Sequence, residues 1–321
     1  MTRSLSLMIF ISLMVGACAS IARETPPSLP AESRWQQHAS MPTQRSEMPA
    51  VALDGLIYVP GGFGGEAAFE AYDPLTDTWQ SLPLLPDGRH HLMAAAHGGG
   101  VTAGRIYIFG GASSLIDWRA SDTAWAYDPA SQEWHELARM PEPRLAGAAV
   151  SLGDYLYVVG GAGGSNALLR YDPAGDTWTT LAALAQAREH TAAVAMDGLI
   201  YALAGRWSGS GELASVEVYD PASDQWTAGP AMSVARGGHA AAVVNGQIVV
   251  AGGEVLSSGR QTLDSVEVLD PAQDVWSSGP ALPVPLHGVP AVGLDGSLFI
   301  LGGSDRAGAI ENRGRVFSID L

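Results

Sequence analysis

The sequence predicts an all-β fold, a ring of six blades with four antiparallel strands each, and three observations predict it. First, a segment of the form Tyr-Asp-Pro followed by Trp recurs at nearly even spacing. It appears as EAYDPLTDTW ending at Trp79, WAYDPASQEW at Trp134, LRYDPAGDTW at Trp178, VEVYDPASDQW at Trp226 and VEVLDPAQDVW at Trp276. Second, the same order of short apolar runs and turn residues fills every interval, the mark of a repeat architecture. Third, 39 Gly and 20 Pro in 321 residues, with only 16% charged, suit many short strands joined by turns.

From the N-terminus, MTRSLSLMIFISLMVGACAS carries one Arg, an apolar run from Leu5 to Val15 and small residues around Cys18. The run is too short to span a bilayer and reads as a secretory signal. Cys18 is the only cysteine, so no internal disulfide is available. Val15-Gly16-Ala17-Cys18 resembles a bacterial lipobox. That implies removal of residues 1–17, lipidation of Cys18, and, with Ala19 following, the periplasmic face of an outer membrane. Ala17-Cys18-Ala19 also fits ordinary A-x-A cleavage, which leaves a soluble periplasmic or secreted protein. Residues 18–33 are polar, contain Pro and lack periodicity, so they read as a flexible tether. The ring is expected over residues 34–321.

Each repeat opens with a small-residue strand such as AVALD, LAGAAVSL, HTAAVAM or HAAAVV. A two-residue turn follows: Asp54-Gly55, Gly153-Asp154, Asp197-Gly198, Asn245-Gly246 or Asp295-Gly296, the usual chemistry of tight hairpins. An apolar strand (LIYVP, RIYIFG, YLYVVG, LIYALA, QIVVAG, SLFILG) ends at a Gly pair. After a variable loop comes a third strand closing on Tyr-Asp-Pro, a turn set by Pro and Asp, and then Trp at the head of a fourth strand. Small residues in the first strand and indoles in the fourth suit sheets packed radially, crowded at the hub and roomy at the rim.

These residues resemble the kelch family of β-propellers: Gly61-Gly62, Gly110-Gly111, Gly160-Gly161, Gly252-Gly253 and Gly302-Gly303, each but the last followed by the expected Tyr and Trp. Ala204-Gly205 departs in one repeat and Leu269 replaces Tyr in another. Six Gly-pair positions stand against five complete Tyr-Asp-Pro-to-Trp segments, and the chain stops at RVFSIDL. SRWQQHASMP around Trp35 is a fourth strand lacking its first three. The N-terminal strand is therefore expected to complete the C-terminal blade and remove two open edges.

The formal charge is −16, and all 17 basic residues are Arg. So acidic a chain, without a basic run, excludes a nucleic-acid partner. Arg45, Arg89, Arg144, Arg188 and Arg236 stand just before successive first strands, with Leu286 in the sixth place. Glu47, Glu189 and the histidines His90, His91, His190, His239 and His287 lie within three residues of them. This group is expected to line one mouth of the central channel, where the variable loops also emerge. A positive mouth in an acidic protein would take an acidic small molecule, sugar or peptide. A repeated Arg can equally be a scaffold part that bonds carbonyls or carboxylates.

Trp118 and Trp207 fall in the variable loops and are candidate stacking platforms. The imidazoles show no diagnostic ligand spacing, so neither a metal nor another cofactor is expected. The Gly-rich loops lack the Lys-Ser/Thr ending of a phosphate cradle.

Three functions are compatible with the resemblance. A non-catalytic binding or interaction module, acting as a monomer with membrane contact only through a lipid anchor, is the first. A periplasmic sugar enzyme similar to sialic acid mutarotases is the second, with Glu189 beside Arg188 and His190 as its best catalytic candidate. A galactose-oxidase-like copper enzyme is disfavoured, because that chemistry implies a crosslinked Cys-Tyr pair and the sole cysteine is Cys18.

Overall fold

The structure, a computed structural model, describes residues 34–99, 102–113, 118–309 and 311–321. The expected signal peptide, Cys18 and the expected tether lie outside the described residues. The rest forms six four-stranded antiparallel sheets, and no helix occurs among the described residues.

The first blade comprises Val51–Leu53, Leu56–Pro60, Phe69–Asp73 and Thr78–Ser81; the second, Met93–Gly99, Thr102–Phe109, Ala124–Asp128 and Glu133–Glu136. The third comprises Ala148–Leu152, Tyr155–Val159, Ala167–Asp172 and Thr177–Ala183; the fourth, Ala192–Met196, Leu199–Leu203, Val216–Asp220 and Gln225–Ala228. The fifth comprises Ala240–Val244, Gln247–Ala251, Val266–Asp270 and Val275–Ser278. The sixth joins Ala291–Leu294, Ser297–Leu301 and Val316–Asp320 to Gln36–Gln37 from the other end of the chain, with Gln36 opposite Ser318 and Gln37 opposite Phe317.

The closure inferred from counting repeats is thus the one adopted. Two short hairpins in the variable loops, Arg206–Trp207 with Gly211–Glu212 and Glu254–Val255 with Gln261–Thr262, were not legible beforehand.

Neighbouring blades share their cores. Ile57, Val59 and Tyr72 of the first blade pack with Phe299, Leu301 and Val316 of the sixth, and Val249 and Val268 of the fifth pack with Leu298 and Ile300. A blade alone would leave these faces wet, so burial drives ring closure.

The repeated motif is the outer joint. Each fourth-strand indole donates Nε1–H to a backbone carbonyl of the preceding blade: Trp79 to Ala39, Trp134 to Pro83, Trp178 to Ala138, Trp226 to Ala182 and Trp276 to Pro230, at 2.8–3.2 Å. Trp35 completes the set through Ala281 at 2.7 Å.

The Gly pairs are a second joint. The second residue of each pair donates its N–H to the carbonyl at the Arg position of the next blade, from Gly62 to Arg89 (2.8 Å) around to Gly303 to Arg45 (2.9 Å). The first glycine has φ of 59–65° in five repeats, and a Cβ on Gly61 would lie 2.4 Å from the Arg89 oxygen. Both the left-handed backbone and the close approach favour glycine there. Ala204 takes the position at φ 47° in the remaining repeat.

Candidate functional site

The mouth is built from the two residues after each Arg position. The first of them bridges to the strand end beyond its Gly pair: Ser46 to Phe63, His90 to Ala112, Leu145 to Ala162, Glu189 to Arg206, Gly237 to Glu254 and His287 to Ser304. The second comes to the axis. Glu47, His91, Ala146, His190, Gly238 and Gly288 are joined in a closed circle, each N–H donating to the carbonyl of the preceding member at 2.6–2.9 Å. All six are left-handed, with φ between 47° and 62°. Glycine suits that conformation, yet three positions carry large polar side chains at a cost of about 1–3 kcal/mol each.

The arginines turn away from this circle into their own blades. Arg45 donates to the carbonyls of Val59, Gly61 and Ala68 at 2.7–3.1 Å and to Glu70 at 2.6 Å. Arg188 does the same with Ala204, Ser215 and Glu217, and Arg236 with Gly252, Ser265 and Glu267. The partner carboxylate stands two residues before the Tyr position of the third strand. In the third blade Leu169 stands there, and Arg144 pairs instead with Glu142 at 2.8 Å. In the second blade Trp125 stands there, and Arg89 pairs with Asp87. In the sixth, Leu286 and Phe317 replace the whole pair with buried apolar side chains.

Arg45, Arg144, Arg188 and Arg236 are fully buried. The expected arginine-lined mouth is therefore corrected: these buried guanidiniums bond carbonyls and carboxylates of the scaffold, and they cannot reach a ligand.

What surrounds the mouth is a circuit of side chains. His91 Nε2 stands 3.3 Å from Glu47 Oε2 and 3.0 Å from His190 Nε2. His190 Nδ1 hydrogen-bonds Glu189 Oε2, and Arg206 Nε donates to Glu189 Oε1 at 2.8 Å. Arg206 Nη1 reaches Glu254 Oε1 at 2.5 Å, and His287 Nδ1 lies 3.5 Å from Glu254 and 3.6 Å from Glu47, closing the circuit.

Three carboxylates thus face one guanidinium. The local charge is the opposite of the positive mouth expected, because the repeated arginines are spent inside the blades.

Burial pushes the His91 ring down to about 3, against the pull of Glu47, so it is neutral. Burial alone would raise the Glu47 carboxyl, but His91, His287 and His190 outweigh it and hold the group well below the usual carboxylate range. Burial would likewise lower His287, and Glu47 and Glu254 reverse that and raise it. The Glu189 carboxyl is held down by His190 and Arg206 in spite of burial.

Below the circuit lies an axial cavity of about 160 Å³, walled mainly by Ala and Gly from the first strands, with Glu47, His91 and His190 at its rim. His239 also lines it, and burial, with Arg236 and Arg188 nearby, pushes its ring down to about 3.

Of the loop tryptophans, Trp118 is 46% exposed and lies over the rim, its ring 4.8 Å from His91 and 5.9 Å from Phe63. Trp207 is half-buried in its hairpin. The structure therefore brings together His91, His190, Glu189, His287 and Trp118, and disperses the arginines. Arg206 and Glu254 were missed, although Arg206 directly follows Ala204-Gly205 and Glu254 the equivalent Gly252-Gly253, so both occupy one register position of the repeat.

Fold and site define a six-bladed propeller with a polar axial mouth. The chain belongs to the kelch-repeat family: the KLHDC2/KLHL20/DRC7 Kelch-repeats domain matches residues 139–303, and the Kelch motif matches 44–84 and 93–141. Similar proteins include Kelch-like protein 35 of Mus musculus, 34% identical over 130 residues, 40% of this chain and 21% of that protein. Kelch repeat and BTB domain-containing protein 1 of Cowpox virus (strain Brighton Red) is 34% identical over 136 residues, 41% of this chain and 23% of that protein. Each match thus spans less than a quarter of the relative's length. The solved "Structure of YjhT" superposes with a TM-score of 0.75 at 16% identity, covering 87% of this chain and 96% of that one, a likeness of fold.

Proposed function

We propose that this kelch propeller is an exported, non-catalytic protein-interaction module that receives its partner on the loop face around the axial mouth. One observation carries the reading: Trp118 stands half-exposed beside a ring of fixed charges on an otherwise rigid scaffold. An amphipathic indole next to oriented polar groups is the usual composition of an interface anchor. Export rests on the apolar run before Cys18, and a lipid on that cysteine would hold the module at a membrane surface.

The test is in-cell crosslinking and fractionation in a Gram-negative host. Wild type is expected in the membrane fraction with a discrete crosslinked partner, and Cys18→Ser in the soluble fraction. Trp118→Ala is expected to lose the partner, whereas Leu75→Asp, at a turn on the opposite face, keeps it. Equal crosslinking of wild type and Trp118→Ala would remove the mouth as the interface, and a soluble wild type would remove the anchor.

A sugar-epimerising reading is favoured by the Glu189–His190 hydrogen bond, an oriented acid–base pair beside the cavity. It predicts accelerated anomeric exchange of free sialic acid in NMR spectra, abolished in Glu189→Gln. The interaction reading predicts no acceleration.

A further inference from the structure

We propose that Glu47, His91 and His190 form a binding site for a divalent first-row transition ion, of which zinc is the simplest case, on the propeller axis. The inference goes beyond the interaction reading and stands without it. The three residues occupy one repeat position in the first, second and fourth blades, on the backbone-bonded circle that fixes their Cα atoms. They are separated by 44 and 99 residues of sequence, which is why ligand spacing gives no sign of them.

Three features point to a cation. The donor atoms converge: His91 Nε2 is 3.0 Å from His190 Nε2 and 3.3 Å from Glu47 Oε2, and all three lie within 4.8 Å of one another. Ligands about 2.05 Å from a tetrahedral zinc stand roughly 3.3 Å apart, so small side-chain rotations close the triangle.

The outer partners orient the rings. Glu189 takes the Nδ1–H of His190 and is itself fixed by Arg206 at 2.8 Å, leaving Nε2 turned to the axis. This is the carboxylate–histidine arrangement that supports metal ligands. His91 Nδ1 is similarly engaged, 2.7 Å from His90 Nδ1.

The hydrogen-bond count falls short without an ion. His91 Nε2 can bring at most one proton to a point where His190 Nε2 and Glu47 Oε2 both need a donor, whereas a cation satisfies all three atoms. Two imidazoles and one carboxylate suit zinc and its neighbours rather than calcium or magnesium, which favour all-oxygen sets. A three-ligand site leaves a fourth position open, and here it faces the axial cavity of about 160 Å³, roomy enough for water or a small ligand.

The experiment is equilibrium dialysis of chelator-stripped protein against Zn²⁺, with metal quantified by mass spectrometry and the site reported by the visible spectrum of Co²⁺. Wild type is expected to hold one ion per chain and to give intense tetrahedral Co²⁺ bands. His91→Ala and His190→Ala should weaken binding by more than about 100-fold, and Glu189→Gln by about 10–100-fold, the scale for losing an outer partner. His135→Ala, at an exposed histidine of the outer strand Glu133–Glu136, should change nothing. The alanine variants are expected to fold, because Ala146 already occupies the equivalent position at φ 55°. Glu189→Gln, which leaves all three ligands in place, carries the test if they do not. Absence of stoichiometric Zn²⁺ in the wild type, or equal retention by wild type and the ligand variants, overturns the site.

Discussion

Arg236 shows how a single residue is committed to scaffold. Its guanidinium is fully buried, 2.6 Å from Glu267, and Glu267 in turn accepts the N–H of Ser233 at 2.7 Å. Removing one member strands a buried charge, whereas replacing both with packed apolar groups can be close to neutral. The sixth blade supplies the template, since Leu286 and Phe317 stand in these two positions. Arg236→Leu is therefore expected to lose about 3–5 kcal/mol of stability in urea unfolding. Arg236→Leu with Glu267→Phe should recover most of it, short of complete because Ser233 loses its acceptor. A single variant as stable as wild type would return Arg236 to the list of possible ligand residues.

At the scale of the element, the recurring Asp-Pro-to-Trp segment is a latch rather than a surface. Tyr72, Tyr171 and Tyr219 donate to Asp77, Asp176 and Asp224 at 2.7–2.8 Å, which shapes the turn. The same carboxylates accept N–H groups of Ala39, Ala138 and Ala182 from the preceding blade at 2.8–2.9 Å. Six residues after the Asp of Tyr-Asp, the indole adds a second bond to the same residue, donating to the carbonyl of Ala39, Ala138 or Ala182. Trp226→Phe keeps an aromatic ring packed against Tyr219 but deletes the bond to Ala182, so a loss of about 1 kcal/mol is expected in chemical denaturation. Hydrogen exchange should quicken in the strand Gln225–Ala228 and its neighbour Val216–Asp220 before the inner strands. Uniform quickening across the molecule would contradict a local latch.

For the whole molecule, stability is a property of closure. Six sheets share six interfaces only while Gln36–Gln37 lies against Val316–Asp320, a joint of two paired residues reinforced by the Trp35 bond to Ala281. Deleting residues 316–321 removes Phe317 and Ile319 from a core shared with Trp35 and exposes the edge of Ser297–Leu301. An unpaired apolar edge templates association. The truncated chain is expected to elute as oligomers in size-exclusion chromatography and to lose its cooperative unfolding transition. A monomer with an unchanged Tm would show that the ring holds without its seam.

Blade number, strand order and seam were legible because they follow from repetition. The Asn245-Gly246 hairpin, the Gly pair and the Trp segment each have a local chemistry that acts the same way in every copy, and counting them leaves one way to close the ring. The arginines were legible as a pattern and not as a role. Whether Arg188 faced the channel or Glu217 depended on which way a side chain leaves a shared backbone position, and the carbonyls of Ala204 and Ser215 beside Glu217 give its guanidinium a full set of acceptors inside the blade. The mouth was the least legible part. Glu47, His91, His190, Arg206 and Glu254 are scattered over more than 200 residues, and their distances exist only once six blades are arranged about an axis. The sequence alone determined the ring, since that is the sum of like local preferences; only the tertiary structure decided the sign and chemistry of its centre, which arise where unlike residues from different repeats meet.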